Sequence, residues 1–218
     1  VAALEYDLAK EIDGQAAATE IARHELYGCT GAEMVQEMKP YFTDFPNVKN
    51  NCLRFEVSPS IEESSSFTDT DWAELGNDFM QRMGLMNHQY IIIKHSGTES
   101  KKKQAHLHIL ANRISLSGEL YRDNWIGKRA TEAANAIAKE RDFMQAQDIG
   151  KANKAEIKEA MNEVLKKMQG FDLAKFQEEL GKLGFKVREA RASTGKLNGY
   201  YVTARSGTEY KASEIGKG

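Results

Sequence analysis

Two periods alternate along the chain in the spacing of its apolar residues. Residues 6–38 carry a helical pattern, interrupted at Gly28 and restarted at Thr30, whose hydroxyl suits an N-cap; Pro40 closes it. Residues 51–57 alternate apolar and polar side chains and predict a half-buried strand. After a serine run, Thr68, Asp69 and Asp71 supply helix-start chemistry for Trp72, Leu75, Phe79 and Met83, which share one helical face. Residues 88–95 and 105–112 read as strands joined by a short polar segment, so they are predicted to pair as an antiparallel hairpin. Helices are predicted over 124–147, 153–169 and 172–183, the last closing at Gly184. Strands follow at 185–188 and 199–204, turning around Gly195 and Asn198. Strands and helices mixed without strict alternation predict an α+β fold, a central antiparallel sheet flanked by helices, in one domain over residues 1–218.

Composition excludes several classes. Of the 218 residues 41% are hydrophobic and 28% charged, an ordinary globular balance that rules out disorder and collagen-like repeats. The longest apolar run, residues 90–93, is far short of the ~18–20 residues of a membrane span, so no membrane insertion is expected. Two cysteines, Cys29 and Cys52, form neither a disulfide framework nor a CxxC knuckle, which suits a reducing cytoplasm. Opening on Val1 with no initiator Met and no secretory pattern, the chain reads as a cytoplasmic domain excised from a longer protein. A net charge of −2 excludes a simple basic nucleic-acid glue, yet the charge is uneven. Residues 1–150 hold 16 Lys and Arg against 23 Asp and Glu, whereas residues 151–218 hold 14 against 9, a basic end able to steer a polyanion.

Three of the five histidines fall within one predicted hairpin. Strand side chains repeat every two residues, so His106 and His108 share a face while Leu107 and Ile109 point to a core. His95, at the end of the preceding strand, can reach the same patch. A lone His-x-His on a strand is most often a hydrogen-bonded pair; the third imidazole brings forward a divalent metal with open coordination positions. Imidazole intrinsically favours Mn, Ni, Cu or Zn over Mg or Ca, so ligand type leaves the ion open. The three histidines are expected at a mouth of the fold. Lys101, Lys102, Lys103 and Arg113 put cations at both ends of the second strand, as a phosphodiester substrate would need, although a lysine loop alone also suits a solvated hairpin tip.

The order Tyr6, Phe55-Glu56-Val57-Ser58-Pro59, His95 and His106-Leu107-His108-Ile109-Leu110-Ala111-Asn112-Arg113 resembles the relaxase, or mobilisation nuclease, family, within the histidine-hydrophobic-histidine endonucleases. Phe176-Gln177-Glu178-Glu179-Leu180, Gly184-Phe185-Lys186-Val187 and Lys211-Ala212-Ser213-Glu214-Ile215-Gly216 are similar to the end of that family's domain. The resemblance implies a DNA nickase that starts conjugative transfer. Tyr6 would attack a phosphodiester at an origin of transfer and keep the 5′ end as a phosphotyrosine. His95, His106 and His108 would hold a divalent metal, Mg or Mn in use, with Zn, Ni or Cu able to occupy the site. The partner would be single-stranded DNA, contacted by Lys101–Lys103, Asn112 and Arg113, with accessory DNA-processing proteins alongside a monomeric relaxase. Where the family carries an acid two positions after the first histidine this chain has Gly97, and Asp7, Glu56 and Glu99 are the candidate replacements. Tyr27 is the second candidate nucleophile. A rolling-circle replication initiator and a non-catalytic DNA-binding module are the alternative readings.

Overall fold

The computed structural model describes residues 2–12, 15–96 and 104–216. The chain forms two compact units, residues 1–143 and 144–218. No helix among the described residues is long and apolar enough to cross a membrane.

The first unit opens with helix α1 (Ala2–Leu8), a short ribbon of β1 (Glu11–Ile12) and β2 (Gln15–Ala16), strand β3 (Ala18–His24) and helix α2 (Gly31–Met38). Strand β4 (Cys52–Val57), the single turn α3 (Ile61–Ser64), helix α4 (Asp69–Met83), strands β5 (His88–His95) and β6 (His106–Ser115) and helix α5 (Ile126–Glu140) complete it. Four strands make one antiparallel sheet in the order β3-β5-β6-β4. This is the α+β arrangement expected, and β5 and β6 pair as the hairpin pattern predicts.

Alternation along the central strands sends side chains into two separate cores. Tyr90, Ile92, Leu107, Ile109 and Ala111 face α4 and α5 and pack on Trp72, Leu75, Phe79, Met83 and Ile137. Ile91, Ile93 and Leu110 face the other way, onto Leu4 of α1 and Met34 and Met38 of α2. Helix α4 starts at Thr68 through a reciprocal capping box with Asp71 and stops at Gly84, whose φ of 71° is the left-handed conformation glycine supplies most cheaply. It lies close on the sheet: a Cβ at Gly76 would stand 2.8 Å from Ile92 Cδ1.

The expectation of helix throughout residues 6–38 fails between α1 and α2, where residues 18–24 form edge strand β3. Two alanines give this segment helical propensity, and an irregularity between Glu20 and Ala22 shifts the pairing and blurs the period of two. Pairing with β5 overrides propensity. The single helix expected over 124–147 is likewise divided. Helix α5 ends at Glu140, Asp142 takes a φ of 55°, and α6 (Ala146–Lys167) begins in the second unit.

In that second unit α6, α7 (Leu173–Lys182) and the single turn α8 (Ala212–Ile215) accompany a three-stranded antiparallel sheet of β7 (Lys186–Arg191), β8 (Leu197–Thr203) and β9 (Glu209–Lys211). Its core joins Ile157 and Val164 of α6, Phe176 and Leu180 of α7, Val202 of β8 and Ile215 of α8.

Candidate metal centre

Strand register assembles the histidines. His95 at the end of β5 stands directly opposite His106 at the start of β6, and His108 follows two residues on, on the same face. One nitrogen from each lies within 4.8 Å of the others. The ring centroids of His95 and His108 are 4.3 Å apart, and those of His106 and His108 4.9 Å. All three side chains are buried rather than set at a mouth, because this face of the sheet is covered by α1 and α2.

Burial favours the neutral form of two of them. Desolvation lowers the pKa of His95 and carries that of His108 down to about 4, so both keep a lone pair at neutral pH. His106 Nδ1 donates to the Gln104 carbonyl at 3.2 Å, which places its lone pair on Nε2. His95 Nε2 donates to the Asp7 carbonyl at 2.7 Å, and its Nδ1 accepts from the Lys10 ammonium at 3.2 Å. His108 Nδ1 is buried with no hydrogen-bond partner among the described residues. An orphaned buried imidazole nitrogen with two further imidazole nitrogens within 4.8 Å is a donor set suited to a divalent metal, and the Lys10 ammonium on His95 Nδ1 shows that the cluster draws a cation. The residues fit a divalent metal.

An acid completes the cluster from outside the hairpin. Asp7, on α1, is fully buried with its Oδ1 4.0 Å from His108 Nδ1. Arg54 of β4 grips the same carboxylate with both arms, Nη2 to Oδ1 at 2.8 Å and Nε to Oδ2 at 3.0 Å. Sheet register explains the reach: Arg54 sits opposite Leu110, one row along from His108, on the histidine face. The bond to Asp7 holds the guanidinium above its ordinary pKa, with smaller contributions from Glu56 and Tyr6. Of the three acids considered for the place of the family's acid, Asp7 lies against the histidines, Glu56 stands opposite His108 in the β4–β6 register, and Glu99 lies outside the described residues, as does Gly97.

Tyr6 immediately precedes Asp7, so its backbone is one Cα step, about 3.8 Å, from the residue whose carbonyl holds His95. Its ring is 65% exposed. Helix α1 is fixed from three sides: Leu4 is buried in the α1/α2 core, Glu5 Oε1 accepts from Ala32 N at 2.8 Å at the start of α2, and Asp7 takes Arg54. A solvent-facing phenol therefore rides on a helix anchored to the buried cluster.

The family model described as Relaxase: MobA/VirD2-like, nuclease domain, matches residues 6–143. The chain belongs to the relaxase family. No curated protein and no solved structure matches it. The match opens at Tyr6 and closes where the first unit ends, so the histidine sheet and its helices constitute the relaxase nuclease domain. Relaxases nick DNA and act on a single strand at an origin.

Other expected site residues lie elsewhere in this relaxase. Asn112 is buried; its Nδ2 donates to Gln89 Oε1 and its Oδ1 accepts from Ile114 N, both at 2.9 Å. Arg113 spends its guanidinium on the carbonyls of Tyr121 and Asn50 and on Asp123 at 2.7 Å. The reason is strand direction: six residues past His106 is roughly 20 Å along β6. Tyr27 follows β3 at the end remote from His95, since His24 faces Tyr90, five residues back along β5. Its hydroxyl donates to Glu25 at 3.1 Å, and that carboxylate raises the phenol pKa, which opposes nucleophilicity. Lys101, Lys102 and Lys103 lie outside the described residues. Sequence reasoning missed Arg54 and Lys10. Arg54 alternates with Leu53 and Phe55, a pattern that reads as a solvent-facing position, and nothing marks it as facing a helix.

Proposed function

We propose that this relaxase nicks one strand at an origin of transfer by transesterification, with Tyr6 as nucleophile. The phenolic oxygen bonds to the scissile phosphorus as the bond to the 3′-oxygen breaks; the 5′ side becomes a phosphotyrosine ester and the other side a free 3′-hydroxyl. The phenol proton leaves to solvent and the departing 3′-oxygen is protonated in turn. One phosphodiester replaces another, so the strand can be resealed without ATP. His95, His106 and His108 would hold a divalent ion, Mg or Mn in use. When bound it orients the phosphate and offsets charge on the non-bridging oxygens. Arg54 and Asp7 steady α1, and with it Tyr6, against the histidines. Residues 1–218 act together as one DNA-processing module, the second unit adding DNA contacts.

The observation that carries this reading is the 2.7 Å bond from His95 to the Asp7 carbonyl, which ties the helix bearing an exposed tyrosine to the buried imidazoles. A 3′-labelled single-stranded pool of random sequence, incubated with protein and Mn, should give a labelled adduct stable on a denaturing gel. Tyr6→Phe should abolish the adduct while metal binding and strand binding persist. A nucleotide recovered on the Tyr27 peptide, or cleavage without adduct, overturns the assignment.

A further inference from the structure

The second unit concentrates its positive charge in one place. Over residues 148–182, which span α6 and α7, seven lysines are matched by seven acids: Asp148, Glu156, Glu159, Glu163, Asp172, Glu178 and Glu179. Over residues 186–211, the sheet and its turns, Lys186, Arg188, Arg191, Lys196, Arg205 and Lys211 stand against only Glu189 and Glu209. The surplus therefore belongs to the sheet, not to the helices that pack on it.

Strand periodicity then divides that sheet. Val187, Val202, Tyr200 and Tyr210 turn inward onto the helices. The opposite face presents two rows in register, Lys186–Thr203–Glu209 and Arg188–Tyr201–Lys211. Lys186, Arg188 and Lys211 are exposed. Of the remaining cations, Arg205 turns to Glu156 and the Leu183 carbonyl on the helical side, and Arg191 bonds Glu189 and the Gly195 carbonyl.

We propose that this outer face binds double-stranded DNA through its phosphates, independently of base sequence. The proposal rests on the reading that the chain processes DNA, and it concerns the duplex rather than the strand that is cut. Two features select the duplex backbone over a single strand. A single strand is held largely by bases stacked on open aromatic faces. Here the only aromatic on the face, Tyr201, is covered by the Arg188 guanidinium 4.4 Å from its ring centre, and Glu209 at 2.7 Å fixes that guanidinium in place. The outer strands of the face, β7 and β9, are about 10 Å apart at the usual strand spacing. That width suits the ~12 Å major groove, whose flanking phosphates would meet Lys186 and Arg188 on one side and Lys211 on the other.

The test uses the full chain with a 20-base-pair duplex of unrelated sequence, a single strand of the same length, and anisotropy measured over a salt series. The comparison is wild type against Lys186→Gln/Arg188→Gln/Lys211→Gln. Each phosphate contact contributes a slope of about 0.9 in log K against log salt. The triple variant should therefore lose about 2.7 of the duplex slope and at least tenfold in affinity near 0.1 M salt. Lys186→Arg/Lys211→Arg should retain both, which separates charge from misfolding. No duplex affinity in wild type, an unchanged slope in the triple variant, or a loss confined to the single strand overturns the proposal. Adduct formation on a short single strand should be the same in both proteins. If wild type forms no adduct yet the duplex slope still falls in the variant, the nicking reading fails and this surface stands.

Discussion

Arg54→Ala strands a carboxylate. Asp7 has no exposed surface, and its two charge-assisted bonds, at 2.8 and 3.0 Å, both come from Arg54. Removing one partner of a buried ion pair costs ~3–5 kcal/mol, because the other charge stays buried without compensation. The Arg54 side chain is itself 44% exposed, so water follows it into the gap and the lower end of that range, about 3 kcal/mol, is expected. Asp7→Asn is the gentler change. It leaves no buried charge, Arg54 can rehydrate, and the loss is that of charge-assisted hydrogen bonds, about 1–2 kcal/mol. In Asp7→Asn/Arg54→Ala the stranded charge is absent, so the double variant should be more stable than Arg54→Ala alone and fall short of additivity by about 2 kcal/mol. Urea unfolding at neutral pH with a chelator present measures all four proteins. Trp72 and Trp125 both lie in the first unit, so tryptophan fluorescence reports that unit. Additive costs, or Arg54→Ala no worse than Asp7→Asn, would refute the claim that the buried Asp7 carboxylate depends on Arg54 for its compensation.

Acid should destabilise the metal-free protein through His108. Its folded pKa, about 4, lies below the unfolded value of about 6.5, so the unfolded state takes up the proton first; stability is fully present above pH 6.5 and falls by about 3 kcal/mol on the way to pH 4. A flat profile of unfolding midpoints between pH 7 and 5 refutes this, and His108→Gln should flatten it. Calorimetric titration with Mn or Zn should give one ion per chain, and X-ray absorption of the loaded protein nitrogen ligands at about 2.0–2.3 Å. Single His→Ala changes should weaken affinity more than about tenfold, and stoichiometry unchanged in His95→Ala/His108→Ala would remove the site. Gly76→Ala should lower stability by about 1 kcal/mol despite the helical preference for alanine, since overpacking against Ile92 outweighs propensity. Adding Ile92→Val, which deletes the Cδ1 in the way, should recover the loss.

The sheet centre and half of the site were legible in the sequence. Period-two spacing and a short connection determined the β5–β6 pairing, and with it the meeting of His95, His106 and His108. Helix α4 declared itself through its capping residues and a single apolar stripe. Strand β3 did not, because its irregularity spoils the alternation that identifies a strand and its alanines suit a helix. Asp7 and Arg54 are 47 residues apart, and their contact depends on α1 lying over the face of β4 that would otherwise meet solvent. No local pattern encodes that. Asn112 and Arg113 are the opposite case: neighbours of the histidines in sequence, they are carried away at ~3.3 Å per residue by the strand that positions them.

The tie between His95 and α1 runs through a main-chain oxygen, and this gives the site an unusual mutational tolerance. Every amino acid carries that carbonyl, so a substitution at position 7 that preserves the helix keeps this bond even as it gives up the one to Arg54. The acid supplied by Asp7 and this main-chain tie are thereby separable under selection. Side chains around the histidines can turn over, and the burden of neutralising the cluster can migrate from one position to another, without α1 losing its main-chain mooring. The vulnerable changes are those that move the helix as a body, such as loss of the Leu4 contact or of the Glu5 bond to α2. Under the proposed mechanism, substitutions at Leu4 or Glu5 would then cost more activity than many beside the histidines.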